Sequence, residues 1–256
     1  MLTPTRRRLV LTRPLSVGLV AMALVLALGA GLGVTTNGAA AGAGQPRAGG
    51  AVALAATVEQ PNIVFFLTDD MSSKHLRHMP STRRLIFRSG ARFTNFGINV
   101  SLCCPARASL LTGKYAHNTG ITGNEYPDGF YGFHHGDEAH NTFPIALHRA
   151  GYSTSLLGKY LNDYPFVRSA PEPGMGVSPR YVPPGWSRWA VPIRGQYAGR
   201  KYDINLDGRI RHKEGARNYL GDFLTRRAVR QVHANRDGRG LAMLFSFYGP
   251  HRPEPA

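Results

Sequence analysis

An α/β fold, in which strands alternate with helices, is predicted by three features of the sequence. Continuous apolar runs at 63–67, 152–157 and 241–248 are typical of strands buried on both faces of a parallel sheet. Predicted helices separate these runs, and several of them end at a glycine. The chain of 256 residues is 43% hydrophobic, which suits one domain or one large part of a bigger one.

The N-terminal segment of the chain is predicted to be an export segment. An arginine cluster at 6–13 precedes an apolar run at 15–34, and small residues of the A-x-A type follow, which is the pattern of a secretory signal. The cluster also resembles a twin-arginine signal, and the alternative is an uncleaved membrane anchor. We expect residues 1–58 to be an export signal with a Gly/Ala-rich linker. The protein would then be secreted or held in the cell envelope, with no stable membrane insertion after cleavage.

The charge of the chain is strongly basic but dispersed. The formal net charge is +16, and residues 1–60 carry five arginines and one glutamate, which leaves +12 for the rest. The basic residues form no aromatic-interleaved stripe, and no zinc-finger spacing is present. We therefore expect no nucleic-acid partner. A dispersed excess of this kind suits an anionic small molecule or polysaccharide.

The other elements follow from periodicity and from Pro and Gly punctuation. A short strand is predicted at 91–96, and irregular structure is predicted at 165–199, which is rich in Pro and Gly. Helices are predicted at 80–89, 105–112, 143–150 and 218–234.

The motif DINLDG at 203–208, with Glu214 six residues further on, satisfies EF-hand spacing. An EF-hand also needs a helix before its loop, and that stretch is rich in Pro and Gly instead. Alternating apolar residues and the Asp207-Gly208 turn signal favour a β-hairpin there.

Reactive side chains follow the predicted strands, where α/β proteins place their sites. The adjacent carboxylates Asp69 and Asp70 follow the first strand, Lys159 follows the second, and His251 follows the third. Paired carboxylates are costly without a cation, and their hard oxygens suit Ca²⁺ or Mg²⁺. The alternative for the two aspartates is a solvated turn or a helix cap.

The adjacent cysteines Cys103 and Cys104 indicate the chemistry of the site more specifically than the two aspartates do. Neighbouring Cα atoms lie about 3.8 Å apart, which is shorter than an ordinary disulfide allows. Since Cys103 and Cys104 are the only cysteines in the chain, at least one thiol is expected to be free, buried, intermolecular or chemically consumed. Pro105 indicates a helix starting directly behind them, which would place Cys103 at an N-terminus that favours anions. Arg107 could add a bidentate contact to an oxyanion.

The segment CCPARASLLTGK at 103–114 resembles the sulfatase signature, C-x-P-S/A-R followed by T-G-R/K. PNIV at 61–64 with TDD at 68–70 resembles the opening strand and metal ligands of that family. NTFP at 141–144, GKYLN at 158–162 and PGW at 184–186 are similar to the N-acetylglucosamine-6-sulfatase branch. The resemblance implies an alkaline-phosphatase-like sandwich, with a central mostly parallel sheet flanked by helices. Residues 59–256 would be the N-terminal portion of the catalytic domain, with the C-terminal part missing.

The resemblance also implies a mechanism. Cys103 would be oxidised by a formylglycine-generating enzyme to Cα-formylglycine, whose hydrate attacks sulfur and later expels sulfate. Asp69, Asp70 and the converted Cys103 would bind Ca²⁺ rather than Mg²⁺. Arg107 and Lys159 would hold the hydrate and the sulfate, and His251 would contact the sulfate and help protonate the leaving group. The substrate would be a sulfated carbohydrate, similar to glucosamine 6-sulfate, or an aryl sulfate.

Two departures and two alternatives accompany this hypothesis. Many sulfatases have a histidine where Leu161 stands, and Ala106 replaces the serine of the motif. The resemblance implies that the remaining calcium ligands of the family, an Asp-Asn pair, and a further lysine would lie beyond the stretch present here. The alternatives are a phosphonate or phosphodiester hydrolase of the same superfamily and a non-catalytic binder of sulfated polysaccharide.

Overall fold

The computed structural model describes residues 60–235 and 240–252. The predicted export segment at 1–58 lies outside these residues. A six-stranded sheet forms the centre, in the order β1-β6-β2-β3-β4-β5, and the pairs from β1 to β3 are parallel while β3, β4 and β5 pair antiparallel. The strands are β1 Ile63–Leu67, β2 Ser153–Gly158, β3 Arg188–Arg194, β4 Lys201–Leu206, β5 Arg209–Glu214 and β6 Leu241–Ser246. The predicted α/β fold with a mostly parallel sheet is confirmed.

Helices cover both faces of this sheet. The α-helices are α1 Pro80–Thr82, α2 Cys103–Thr112, α3 Ala116–Thr119, α4 Gly129–His135, α5 Phe143–Arg149 and α6 Leu220–Ala234. A π-helical turn at Arg83–Phe87 continues α1, and 3₁₀ turns occur at Ser73–His78, Asp137–His140 and Ala216–Asn218. Among the described residues, no helix is both long and apolar enough to cross a membrane.

The core has two parts because successive residues of a strand point to opposite faces. On one face, Leu156 and Leu244 pack in a cluster with Phe130 of α4. On the other, Leu157 and Phe245 pack in a cluster with α6. Strands β2 and β6 lie inside the sheet, which explains their continuous apolar sequences.

The prediction that the first strand is buried on both faces is wrong. The side chains of β1 are half-exposed, with Phe66 52% exposed. Within the described part of the chain, β1 pairs with β6 alone and is therefore an edge strand. An apolar run fixes the strand conformation but not the number of neighbours that the strand acquires.

The prediction of a strand at 91–96 is also wrong. This segment is irregular, and Phe93 and Phe96 are among the most exposed apolar side chains described. Helix α2 begins at Cys103, two residues before the predicted start, and ends at Thr112, followed by the C-cap residue Gly113, whose φ is 73°. The predicted helix at 80–89 is helical only as far as Phe87.

Among the α-helices and strands described, the sequence did not predict α3, α4 or β3. Strand β3 lies in the stretch at 165–199 that was expected to be irregular, and its middle residues are buried.

The hairpin prediction is confirmed, because β4 and β5 pair directly around Asp207 and Gly208, whose φ values are 51° and 82°. Asn205 is fully buried, and its Oδ1 accepts the Gly208 N–H at 2.8 Å, which is a turn contact.

Candidate active site

The carboxyl ends of β1, β6 and β2 lie side by side and bring together residues that are far apart in sequence. Ser246 of β6 pairs with Leu67 on one side and with Gly158 on the other. Gly158 has a φ of 105°, and a Cβ there would lie 1.7 Å from the Ser246 carbonyl oxygen. Only glycine permits this approach, which holds Lys159 beside the end of β6, where its N–H donates to the same Ser246 oxygen at 2.9 Å.

Six side chains at this end of the sheet form what we call the cluster: Asp69, Asp70, Cys103, Arg107, Lys159 and His251. Asp69 is its centre. Its side chain is almost fully buried, and its backbone N–H donates to the Gly249 carbonyl at 3.2 Å. Lys159 Nζ lies 2.6 Å from Oδ2, and Arg107 Nη2 lies 3.3 Å from Oδ1. One buried carboxylate is thus shared by two buried cations, so the buried trio of Asp69, Arg107 and Lys159 carries a net charge of +1.

The Arg107 guanidinium is held at the ends of three strands, by Asp69 after β1, by Lys159 after β2 and by Ser246 of β6. Its Nη1 donates to the Lys159 carbonyl at 2.9 Å and to Ser246 Oγ at 2.7 Å. These bonds orient the guanidinium beside Asp69. Ser246 was missed by the sequence analysis, because a serine at the end of an apolar strand carries no signal until the strand order is known.

Lys159 remains a strong cation despite its burial. Burial alone would lower its pKa, but Tyr197 and Asp69 outweigh that effect and raise the pKa above its ordinary value. The Tyr197 ring lies with its centroid 5.5 Å from Lys159 Nζ. The same ring lies 4.9 Å from the ring of His251. Tyr197 is a second neighbour of the cluster that the sequence analysis missed.

The two cysteines have different environments, and both are free thiols. Cys103 begins α2, and its Sγ lies 3.4 Å from Lys159 Nζ and 3.8 Å from Asp69 Oδ1. Cys104 is fully buried, and burial raises its pKa to about 12. Its Sγ accepts the Asn162 N–H at 3.0 Å. Cys103 therefore faces the cations, whereas Cys104 belongs to the core.

Asp70 and His251 lie at the outer side of the cluster. Asp70 has a φ of 56°, and its Oδ2 lies 3.5 Å from His251 Nε2. Ligand atoms of Asp69, Cys103 and His251 all lie within 4.8 Å of one another, so these residues could hold a metal ion. Asp70 stands outside this trio and touches it through His251.

The cluster borders an open cleft of about 710 Å³. Its polar lining includes Asp69, Asp70, Cys103 and Arg107, and its apolar wall is formed by the segment 96–102 with Phe65 and Leu67 of β1. All six residues singled out from the sequence lie at this end of the sheet. The N-terminus of α2, the Cys103 thiol and the Arg107 guanidinium line this cleft, and the buried Lys159 ammonium lies directly behind Cys103. Helix N-termini and guanidinium groups favour oxyanions.

Comparisons with known proteins agree with this geometry. The Sulfatase protein-family model matches residues 61–256. The chain is 37% identical over 182 residues to the N-acetylglucosamine-6-sulfatase of Homo sapiens, which covers 69% of this chain and 31% of that protein. It is 32% identical over 203 residues to an extracellular sulfatase SULF-1 homolog of Drosophila melanogaster, which covers 76% of this chain and 17% of that protein.

A solved structure in complex with its substrate, D-glucosamine-2-N,6-O-disulfate, matches with a TM-score of 0.53 and 25% identity. The match covers 75% of this chain and 35% of that one, and it confirms the expected alkaline-phosphatase-like fold. The chain spans about a third or less of the length of the curated relatives named above. On the match over residues 61–256, the chain belongs to the sulfatase family.

Proposed function

We propose that this chain supplies the nucleophile and the oxyanion-binding cations of a sulfuric ester hydrolase. The observation that carries the proposal is the position of Cys103, at the N-terminus of α2 and within 3.4 Å of the buried Lys159 ammonium. A sulfate ester bound beside Cys103 would meet the helix N-terminus and both cations. Each of these stabilises negative charge that develops on the sulfate oxygens.

Cys103 is proposed to act after conversion to Cα-formylglycine by a formylglycine-generating enzyme. The converted side chain supplies a geminal diol, of which one hydroxyl is the nucleophile toward sulfur and the other permits release of sulfate. Cys104 is unsuited to this role because it is buried and bonded to Asn162. The different environments of the two thiols thus support Cys103 rather than Cys104 as the converted residue.

The neighbouring side chains have separate roles in the proposal. Arg107 is fixed by Ser246 and by the Lys159 carbonyl, so its remaining guanidinium surface is oriented toward the sulfate oxygens. Lys159 stays protonated beside Asp69 and holds an oxygen of the nucleophile or of the sulfate. His251 is proposed to give a proton to the leaving alcohol or phenol.

The donor set fits a bound Ca²⁺. Asp69 accepts one bond from a cation at each carboxylate oxygen, which leaves lone pairs for a metal ion, and Asp70 adds an exposed carboxylate next to it. A thiol is a poor ligand for this hard cation, whereas the oxygens of a converted residue 103 suit it. Ca²⁺ is preferred to Mg²⁺ because it tolerates irregular geometry. The ion would supply Lewis-acid polarisation of the sulfate.

The proposed substrate is a sulfated sugar similar to glucosamine 6-sulfate, with an aryl sulfate as the next choice. This choice is supported by the N-acetylglucosamine-6-sulfatase relatives and by the glucosamine disulfate bound in the matched structure. An extracellular site of action is proposed from the predicted export segment and from the relatives named as extracellular sulfatases.

The test is turnover by protein that has been coexpressed with a formylglycine-generating enzyme. We expect release of sulfate from N-acetylglucosamine 6-sulfate, and loss of that release in Cys103→Ala but not in the matched variant Cys104→Ala. Chelation should abolish turnover, and Ca²⁺ should restore it. Faster hydrolysis of a phosphodiester would favour the related phosphoryl hydrolase. Polysaccharide binding without any turnover would favour a non-catalytic binder.

A further inference from the structure

A second basic pocket lies between α6 and the strands β3 and β4. Its volume is about 270 Å³. Arg227, Arg230, Gln231 and Ala234 line it from α6, at the i, i+3, i+4 and i+7 positions of one helix face. Arg188, the first residue of β3, and Asp207, the first residue of the hairpin turn, complete the lining.

The pocket is remote from Cys103. The catalytic cluster lies past the carboxyl ends of β1, β2 and β6, whereas Arg188 begins β3 and pairs with Ser155. Lys159 is four residues further along β2 than Ser155, a displacement of about 13 Å along the strand direction. Helix α6 reaches the pocket with its last two turns, just before the chain enters β6 at the opposite end from the site.

The polar groups of this pocket are poorly satisfied. Arg227 Nε and Gln231 Oε1 are buried and make no hydrogen bond within the described residues. The Asp207 carboxylate does not satisfy these groups. Its Oδ1 accepts the Trp189 N–H at 2.6 Å. Its Oδ2 lies 3.7 Å from Arg227 Nη2, which is too long for a hydrogen bond. A buried donor without an acceptor costs free energy, and a ligand oxygen would recover it.

The pocket also has an excess of positive charge. Three guanidinium groups face a single carboxylate, so the lining residues carry a net charge of +2. Burial lowers the pKa of Arg227, Asp207 opposes this, and the charges of Arg230 and Arg188 lower the pKa further. These like charges repel one another when no anion lies between them.

We propose that Arg188, Arg227 and Arg230 form a second oxyanion-binding pocket that takes a sulfate group. Guanidinium forks bind tetrahedral oxyanions in bidentate fashion, and three of them around a small pocket provide a defined position. That the pocket binds an oxyanion is inferred from its lining residues alone. That the sulfate group belongs to a sulfated saccharide rests on the proposed function, and free inorganic sulfate is the other source of that group.

The test measures binding rather than turnover, so its failure is separate from any failure of the catalytic proposal. The full chain carrying Cys103→Ala is titrated by calorimetry with a heparin-derived tetrasaccharide and, separately, with sodium sulfate at constant ionic strength. The double variant Arg188→Gln/Arg230→Gln removes the two exposed guanidinium groups and leaves the Arg227–Asp207 pair in place. Replacing Arg211 and Arg217 together by glutamine, at two exposed positions outside the pocket, gives the matched control for the loss of two positive charges.

We expect the double variant Arg188→Gln/Arg230→Gln to lose about tenfold or more in affinity for both probes, while the control with Arg211 and Arg217 replaced stays within about twofold of the parent. Equal losses in the double variant and in the control would show diffuse charge attraction and overturn the pocket. Loss of sulfate binding alone, with tetrasaccharide binding unchanged, would overturn the saccharide as the carrier. Unchanged sulfate binding in the double variant would overturn the proposal altogether.

Discussion

Replacing Lys159 by methionine tests whether the buried cation is essential to the cluster. The ammonium is almost fully buried and lies 2.6 Å from Asp69 Oδ2. Removing one partner of a buried charge pair costs about 3–5 kcal/mol. Since Arg107 still contacts the carboxylate at 3.3 Å, we expect the lower end, about 3 kcal/mol. The control is Lys201→Met, whose pair with Glu214 is mostly exposed and should change stability little.

The assay is urea unfolding of the parent and both variants at several pH values. The pKa of Lys159 is raised in the folded chain, so its contribution is fully present below the ordinary value of 10.5 and is lost as pH rises through the folded pKa. The difference between the parent and Lys159→Met should be constant from pH 7 to about pH 10 and shrink above pH 10.5. An equal cost for both lysine variants, or a difference that grows at alkaline pH, would refute the reasoning.

Three further results are expected. At pH 8, a thiol reagent should modify only one thiol of the native, unconverted chain. Cys103→Ala should abolish that reaction until the chain unfolds, because burial raises the pKa of Cys104 to about 12. Gly208→Ala should lower stability by about 1–2 kcal/mol, measured by thermal unfolding, because the residue has a φ of 82°; an unchanged melting temperature would contradict this. Phe66→Lys should reduce ANS fluorescence with little change in unfolding free energy, because this side chain is 52% exposed on β1.

The sequence predicts an element best where local chemistry alone decides its structure. Strands β2 and β6 follow from their apolar runs, and the hairpin follows from Asp207-Gly208, since two residues with positive φ are what its turn requires. Strand β3 was missed because Pro192 and the surrounding Pro and Gly residues indicate a loop. Pairing with β2 and β4 overrides that local preference.

The sequence predicts which residues form the candidate site but not how their side chains are arranged in space. The motif at 103–114 identifies Cys103 and Arg107, and the strand ends identify Asp69 and Lys159. Ser246 is placed by the position of β6 between β1 and β2, which is a long-range feature with no local signal. The exposure of β1 likewise depends on which segments pack against it. Both properties are set by tertiary contacts rather than by sequence pattern.

The central claim is that Cys103 is the precursor of the nucleophile. Mass spectrometry of the tryptic peptide 93–107 from active protein tests it most directly, because this peptide holds both cysteines. We predict an aldehyde in place of the thiol at residue 103, and an intact thiol, available to one alkylating group, at residue 104. Protein that releases sulfate while both thiols remain intact, or that carries the aldehyde at residue 104, would contradict the claim.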